Sequence, residues 1–161
     1  VGEPGKNPRC LVVDNDVGVA QLVHAFFQRK GIDLLSCRTG EEAWEILASE
    51  EQWGEVDLLL LDLRMPGMGG VGLLEKMAER EGGPKVVVMS GFISEEDQLF
   101  LRKQERVVAV LLKPFDLLEL HAQVLDAVEA RRARTPLAND APTLPFGGDF
   151  GEGEISMGGG S

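Results

Sequence analysis

VDLLLLDLRMPGMGG, Val56 to Gly70, sets four consecutive leucines before an aspartate and a Met-Pro-Gly turn. A short continuous apolar run closed by turn residues is the pattern of a strand covered on both faces, as in parallel sheets flanked by helices. Such a strand carries whatever follows it to the sheet's edge on a rigid support. An acid at that tip, Asp62, is either a solvated loop residue or a reactive group.

Outward from this run, four more apolar segments follow the same plan: CLVVD (10–14), IDLLSC (32–37), KVVVMS (85–90) and VVAVLL (107–112). Helical patterns alternate with them. Val19, Leu22, Val23, Phe26 and Phe27 recur at helical spacing, with Asp16 as N-cap and Gly31 as terminator. Thr39 and Glu42 form a capping box before AWEILASEEQW, and Ser94 with Asp97 opens EEDQLFLRKQ in a looser form of the same device. A helix over VGLLEKMAER follows Gly70, and another starts near Asp116 with Leu117, Leu120, Val124 and Val128 on one face. The alternation predicts an α/β fold, a (βα)5 doubly wound sheet of five parallel strands.

The length of 161 residues suits one domain with chain left over. Residues 9–133 are read as that domain, 1–8 as an N-terminal linker and 134–161 as a C-terminal tail or linker. From Thr135 onward, 27 residues hold 7 Gly and 3 Pro and neither Lys nor Arg, a composition that cannot bury enough apolar surface to offset its ordering entropy. FGGDF (146–150) resembles the signature turn of cyclic-dinucleotide cyclases but lacks its second acid. No segment has the length and uniformity of a membrane span or the form of a signal peptide, so a cytoplasmic protein is expected.

A formal charge of −11 argues against sequence-independent nucleic-acid binding, which needs a basic surface to displace counterions, and favours a basic partner or a metal ion. Cys10 and Cys37 fall at opposite ends of their strands, a separation of roughly 13 Å at ~3.3 Å per residue, too far for a disulfide. They are expected to be reduced packing residues. His121 on the apolar face of the last helix is expected to be a boundary residue rather than a ligand, and so is His24, which lacks a cysteine or acidic partner at metal-binding spacing.

Ligands of open parallel sheets bind beyond the carboxyl ends of the strands, so the strand tips form one set. Here they are DND (14–16), Asp62, Ser90 and Lys113. Carboxylates crowded at one edge repel each other, and a hard divalent cation with oxygen ligands, Mg²⁺, relieves that repulsion. With the ammonium of Lys113 and the hydroxyl of Ser90, these groups suit a tetrahedral oxyanion beside a carboxylate nucleophile.

LVVDND, LLLLDLRMPGMGG, VVVMSG and LLKPF, in this order, resemble the receiver domains of two-component response regulators, over about Arg9 to Glu129. The resemblance implies a flavodoxin-like fold with strand order 2-1-3-4-5. It implies that Asp62 accepts a phosphoryl group from a histidine kinase or a histidine phosphotransfer protein. Asp14, Asn15, Asp62 and the backbone carbonyl of Arg64 would hold Mg²⁺, Lys113 would pair with the phosphoryl group and Ser90 would shift to hydrogen-bond it. Pro114 corresponds to a cis-proline position.

The signal would leave by contact with a downstream protein, not by direct nucleic-acid binding, and the domain would be a signalling phosphoacceptor rather than an enzyme in the ordinary sense. It would stand alone or form part of a hybrid kinase or larger regulator.

Three positions depart from the family pattern. Asn15 stands where a second acid is usual, which predicts weaker Mg²⁺ binding. Val110 replaces a switch aromatic or histidine. The turn before the fifth strand, QERVVAV, lacks the usual glycine, so the preceding helix is expected to end without a left-handed cap. Two other readings stand beside the receiver: a pseudo-receiver that binds protein without being phosphorylated, and a phosphohydrolase similar to the haloacid-dehalogenase type, with Asp14 as nucleophile in its Asp-x-Asp spacing.

Overall fold

The computed structural model describes residues 6–133. Five strands, β1 (Arg9–Val13), β2 (Asp33–Cys37), β3 (Leu58–Asp62), β4 (Lys85–Ser90) and β5 (Val107–Leu112), form one parallel sheet in the order β2-β1-β3-β4-β5. Six helices connect or follow them: α1 (Val17–Gln28), α2 (Gly40–Leu47), α3 (Glu50–Glu55), α4 (Gly69–Met77), α5 (Glu95–Arg102) and α6 (Leu117–Arg132). The predicted doubly wound sheet and its flavodoxin-like strand order are both present.

The four leucines of β3 divide between two cores because side chains along a strand alternate faces. Leu59 and Leu61 join residues of α2, α3, α4 and α5, while Leu58 and Leu60 join α1 and α6. All four are fully buried, each stabilising the fold by about 1.5–3 kcal/mol relative to exposure. Neighbouring β1 repeats the division with Leu11 and Val13 on one side and Cys10 and Val12 on the other. Cys10 and Cys37 are both free and buried, and Cys10 faces Leu34 in the β1–β2 register, three residues from Cys37. Burial pushes the Cys37 thiol up to about 12.

Several local expectations change. The segment AWEILASEEQW is two helices, because the Ser49 hydroxyl accepts from Gln52 N (3.0 Å) and starts α3 afresh after α2. Thr39 caps α2 as expected, but Glu42 reaches past it to Arg38 N (2.8 Å), so the box is not reciprocal. The box at Ser94 and Asp97 is fully reciprocal, not loose. In α1 the buried residues are Val23 and Phe27, and Leu22 is exposed. β2 is a sheet edge with Leu35 half exposed. Helix α5 ends at Lys103 in right-handed geometry, and no non-glycine residue among those described has positive φ. His24 is exposed, whereas the His121 ring packs against Phe26 and Phe27 at the α1–α6 boundary. The tail from 134 lies outside the described residues.

The amino edge of the sheet is closed by charge. Asp57, just before β3, is fully buried and accepts from Arg131 Nη1 (2.9 Å), Arg132 Nη2 (2.9 Å) and Arg9 N (3.0 Å). Arg131 also donates to the carbonyls of Gly54 and Gly83, and Arg132 to those of Lys6 (2.8 Å) and Asn7 (3.3 Å). The end of α6 is thus pinned to four other parts of the chain.

Candidate functional site

At the opposite, carboxyl edge, β1 delivers Asp14, β3 ends in Asp62, β4 ends in Ser90, and Lys113 follows β5. The register that aligns Asp62 with Met89 and Ser90 with Leu112 sets these tips side by side. Lys113 Nζ donates to Asp14 Oδ2 (2.8 Å) and reaches Asp62 Oδ2 (3.4 Å). The other oxygens are held locally, Asp14 Oδ1 by Asp16 N (2.9 Å) and Asp62 Oδ1 by Arg64 N (3.0 Å). The Lys113–Pro114 peptide is cis.

Two carboxylates therefore share one ammonium in a nearly dry place: Asp14 is 0% and Asp62 5% exposed. Burial, the first cause, and then the charge of Asp14 raise the proton affinity of Asp62, against the opposing hydrogen bond from Arg64 N and the charge of Lys113. For Lys113 burial works to lower the pKa, but the hydrogen bond and charge of Asp14, reinforced by Asp62, outweigh it and the value is raised. Two carboxylates thus face a single cation.

Ser90 is fully buried, and its hydroxyl donates to the Phe92 carbonyl (3.0 Å) rather than into the site. Asn15 is exposed in the β1–α1 connection. Asp16, the second acid of DND, turns away to cap α1 by accepting from Val19 N (3.2 Å), which leaves Asp14 and Asp62 as the carboxylates at the edge. Val110 is buried in the core beside α5's Leu101, with no aromatic ring in its place.

Among the described residues no group of three or more His, Cys, Asp and Glu is placed to hold a metal. The donors that meet at the edge are instead two carboxylates with incomplete charge compensation. Carboxylate oxygen donors, with neither thiolate nor imidazole beside them, match a small hard cation such as Mg²⁺ better than zinc.

Close backbone approach shapes the loop after Asp62. A Cβ on Gly70 would lie 2.6 Å from the Asp62 carbonyl oxygen and 2.7 Å from Leu63 Cα, so only glycine lets α4 start against the strand tip. Gly67 has φ +76 and packs against the Glu41 carboxylate, which accepts from Met68 N (2.9 Å) and ties the loop to α2.

Two contacts escaped the reading of the sequence. Glu41 is one, and the other is an ion pair between the Arg64 guanidinium and Asp97 Oδ2. Asp97 was legible as a cap residue of α5; that the same oxygen also takes an arginine from 33 positions away has no sequence signal.

A doubly wound parallel sheet with two carboxylates and a lysine meeting at its carboxyl edge defines the class by fold and site. Comparison with known proteins narrows the class. The model of the response regulator receiver domain matches residues 10–125. The chain belongs to the response regulator receiver domain family of two-component signalling proteins.

Among its relatives is the transcriptional activator protein PfeR of Pseudomonas aeruginosa, 34% identical over 141 residues, 85% of this chain but 43% of that protein. The chain thus spans less than half of PfeR's length. Sporulation initiation phosphotransferase F of Bacillus subtilis is 29% identical over 118 residues, 73% of this chain and 91% of that protein. Among solved structures, the receiver domain of Francisella response regulator 1452 is 27% identical with a TM-score of 0.68, covering 80% of this chain and all of that one. The response regulator TrrA of Thermotoga maritima, solved with Mg²⁺ and BeF, shares the fold at 24% identity and a TM-score of 0.63, over 74% of this chain and 98% of that one.

Among the described residues no helix is long and apolar enough to cross a membrane.

Proposed function

We propose that residues 9–133 form a phosphoacceptor switch in which Asp62 takes a phosphoryl group from a phosphohistidine of a histidine kinase or histidine phosphotransfer protein. The observation that carries this reading is the placement of Asp62, on a fully buried strand, with the ammonium of Lys113 at 3.4 Å and a second carboxylate, Asp14, on the same ammonium. Asp62 supplies a carboxylate oxygen that attacks phosphorus; the phosphorus–nitrogen bond breaks, and its electron pair leaves with the imidazole, which takes a proton. Lys113 balances charge on the transferred group, and Ser90 rotates from the Phe92 carbonyl to donate to it.

Mg²⁺, when bound, would neutralise charge between the carboxylate and the incoming phosphoryl oxygens. The residues to hold it are Asp14, Asp62, the Asn15 amide oxygen and the Arg64 carbonyl. Hydrolysis of the acyl phosphate at the same site returns the domain to rest, so the domain takes part in its own chemistry while serving as a signal carrier. Output runs through contact with a downstream protein, and a histidine-kinase partner implies a cytoplasmic setting. Residues 1–8 and 134–161 are assigned as flanking linkers. Membership of the receiver family sets aside the phosphohydrolase reading, whereas the non-phosphorylated module remains the reading to be tested against.

The test is intact mass after incubation with acetyl phosphate, with and without Mg²⁺. A metal-dependent phosphoryl adduct that is lost in Asp62→Ala is expected. Absence of any adduct would leave a binding module that keeps the fold without the chemistry.

A further inference from the structure

The position where an aromatic switch would stand is Val110, buried in the core and too small to swing between an inner and an outer position. Another connection does join the acceptor's surroundings to the molecular surface. Arg64 is anchored to Asp62 by its backbone N–H (3.0 Å), while its side chain, half exposed, pairs with Asp97 and lies over the ring of Phe92 at 6.0 Å. Asp97 is 9% exposed, and the oxygen that takes the guanidinium also accepts from Ser94 N (3.0 Å) to close the capping box of α5. The first turn of α5 carries three acids, Glu95, Glu96 and Asp97, and Arg64 supplies the cation that offsets the buried one. Ser90 holds the same segment from its other side, through Phe92 O at 3.0 Å and Phe92 N at 3.4 Å.

We infer that Arg64 is the positioning residue that couples Asp62 to α5: it pairs with Asp97 when the acceptor is empty and turns to the phosphoryl group when it is filled, releasing the first turn of α5. The inference rests on the phosphoacceptor reading of Asp62. A phosphoryl group adds up to two negative charges and three strong acceptor oxygens two residues from Arg64, and because the guanidinium fork fits phosphate as well as carboxylate, the larger charge decides which it pairs with. Once Arg64 leaves, Asp97 is a largely buried carboxylate without its cation, which weakens the turn it caps. Ser90 turning the same way frees Phe92, so both ties on residues 90–97 are lifted by one event.

The experiment is amide hydrogen exchange of α5 in the full chain, at rest and with beryllofluoride plus Mg²⁺ as phosphoryl mimic, with ¹⁹F NMR reporting bound beryllofluoride independently. In the wild type, exchange over residues 94–101 is expected to rise about tenfold when the mimic binds, the scale of losing one charge-assisted hydrogen bond. In Arg64→Ala, and in Asp97→Asn, which keeps an oxygen for Ser94 N, resting exchange should already be raised and the mimic should change it less than about twofold. A bound ¹⁹F signal with a wild-type response in both variants would overturn the coupling and leave the phosphoacceptor reading standing. No bound ¹⁹F signal in the wild type would overturn both.

Discussion

Asp62 and Lys113 touch, yet neutralising each should move stability in opposite directions. Two buried carboxylates face one ammonium, and the raised proton affinity of Asp62 marks its charged form as disfavoured there, so Asp62→Asn should stabilise the metal-free protein at neutral pH. The folded pKa of Asp62 is raised, so folding favours its protonated form, and its contribution to stability is present at low pH and lost as pH rises through that value. The melting-temperature gap between Asp62→Asn and wild type, measured with a chelator present, should therefore be widest near neutrality and close as the solution is acidified. Lys113→Met removes the shared cation and should cost roughly 3 kcal/mol by urea unfolding.

As a proposed Mg²⁺ ligand, Asn15 would withhold one negative charge from the cation, since an amide oxygen would stand in place of a carboxylate. Asn15→Asp is expected to tighten Mg²⁺ binding, and equal affinities in a Mg²⁺ titration would contradict its assignment as a ligand. The residue types at these positions were readable from their strand-tip placement. The sharing of Lys113 by Asp14 and Asp62 was not, because the 2.8 Å and 3.4 Å separations depend on how far each tip projects.

Among the elements, α4 is positioned by absence of a side chain. Its second residue, Gly70, abuts backbone atoms of Asp62 and Leu63, whereas a Cβ on Gly72 would meet the Met68 side chain, with Cγ at 2.7 Å. Gly70→Ala is expected to destabilise by about 2 kcal/mol or more and to reduce phosphoryl adduct formation by displacing the strand tip. Gly72→Ala should cost less than Gly70→Ala, since the Met68 side chain can turn where backbone cannot, and alanine's helix preference offsets part of that cost. Thermal melts and acetyl phosphate labelling of both variants check the contrast.

Helix existence was legible from apolar spacing and caps at Asp16, Thr39, Ser94 and Asp116, and all four are N-caps. The break between α2 and α3 was also written in the chain, as Ser49 three residues before Gln52, but the apolar residues on either side of the polar run 49–52 read as one helix. Glu42's reach to Arg38 was not legible, because either backbone N–H lies within range of its side chain.

Across the whole molecule, the two edges of the sheet are built for opposite ends. The carboxyl edge keeps charge only partly compensated, where it can react; at the amino edge Asp57 is surrounded by Arg131, Arg132 and the Arg9 amide. Asp57→Ala would leave two guanidinium groups, 8% and 14% exposed in their side chains, without their carboxylate. A loss of roughly 3–5 kcal/mol in urea unfolding is expected, while acetyl phosphate labelling in native buffer persists because Asp62 lies at the far end of the same strand.

Asp57 was visible in the sequence as an acid inside an apolar run. Its guanidinium partners stand more than 70 positions later, at the end of the last helix, with no spacing in the sequence that links them to it.

The hydrogen bonds from Arg132 to the carbonyls of Lys6 and Asn7 have a consequence for assembly. They fasten the point where the chain enters the folded unit to the point where it leaves, so the two lie side by side. A unit of that shape can be spliced into a surface loop of another protein as a cassette, with the host's two loop ends held close together rather than prised apart across the width of a domain.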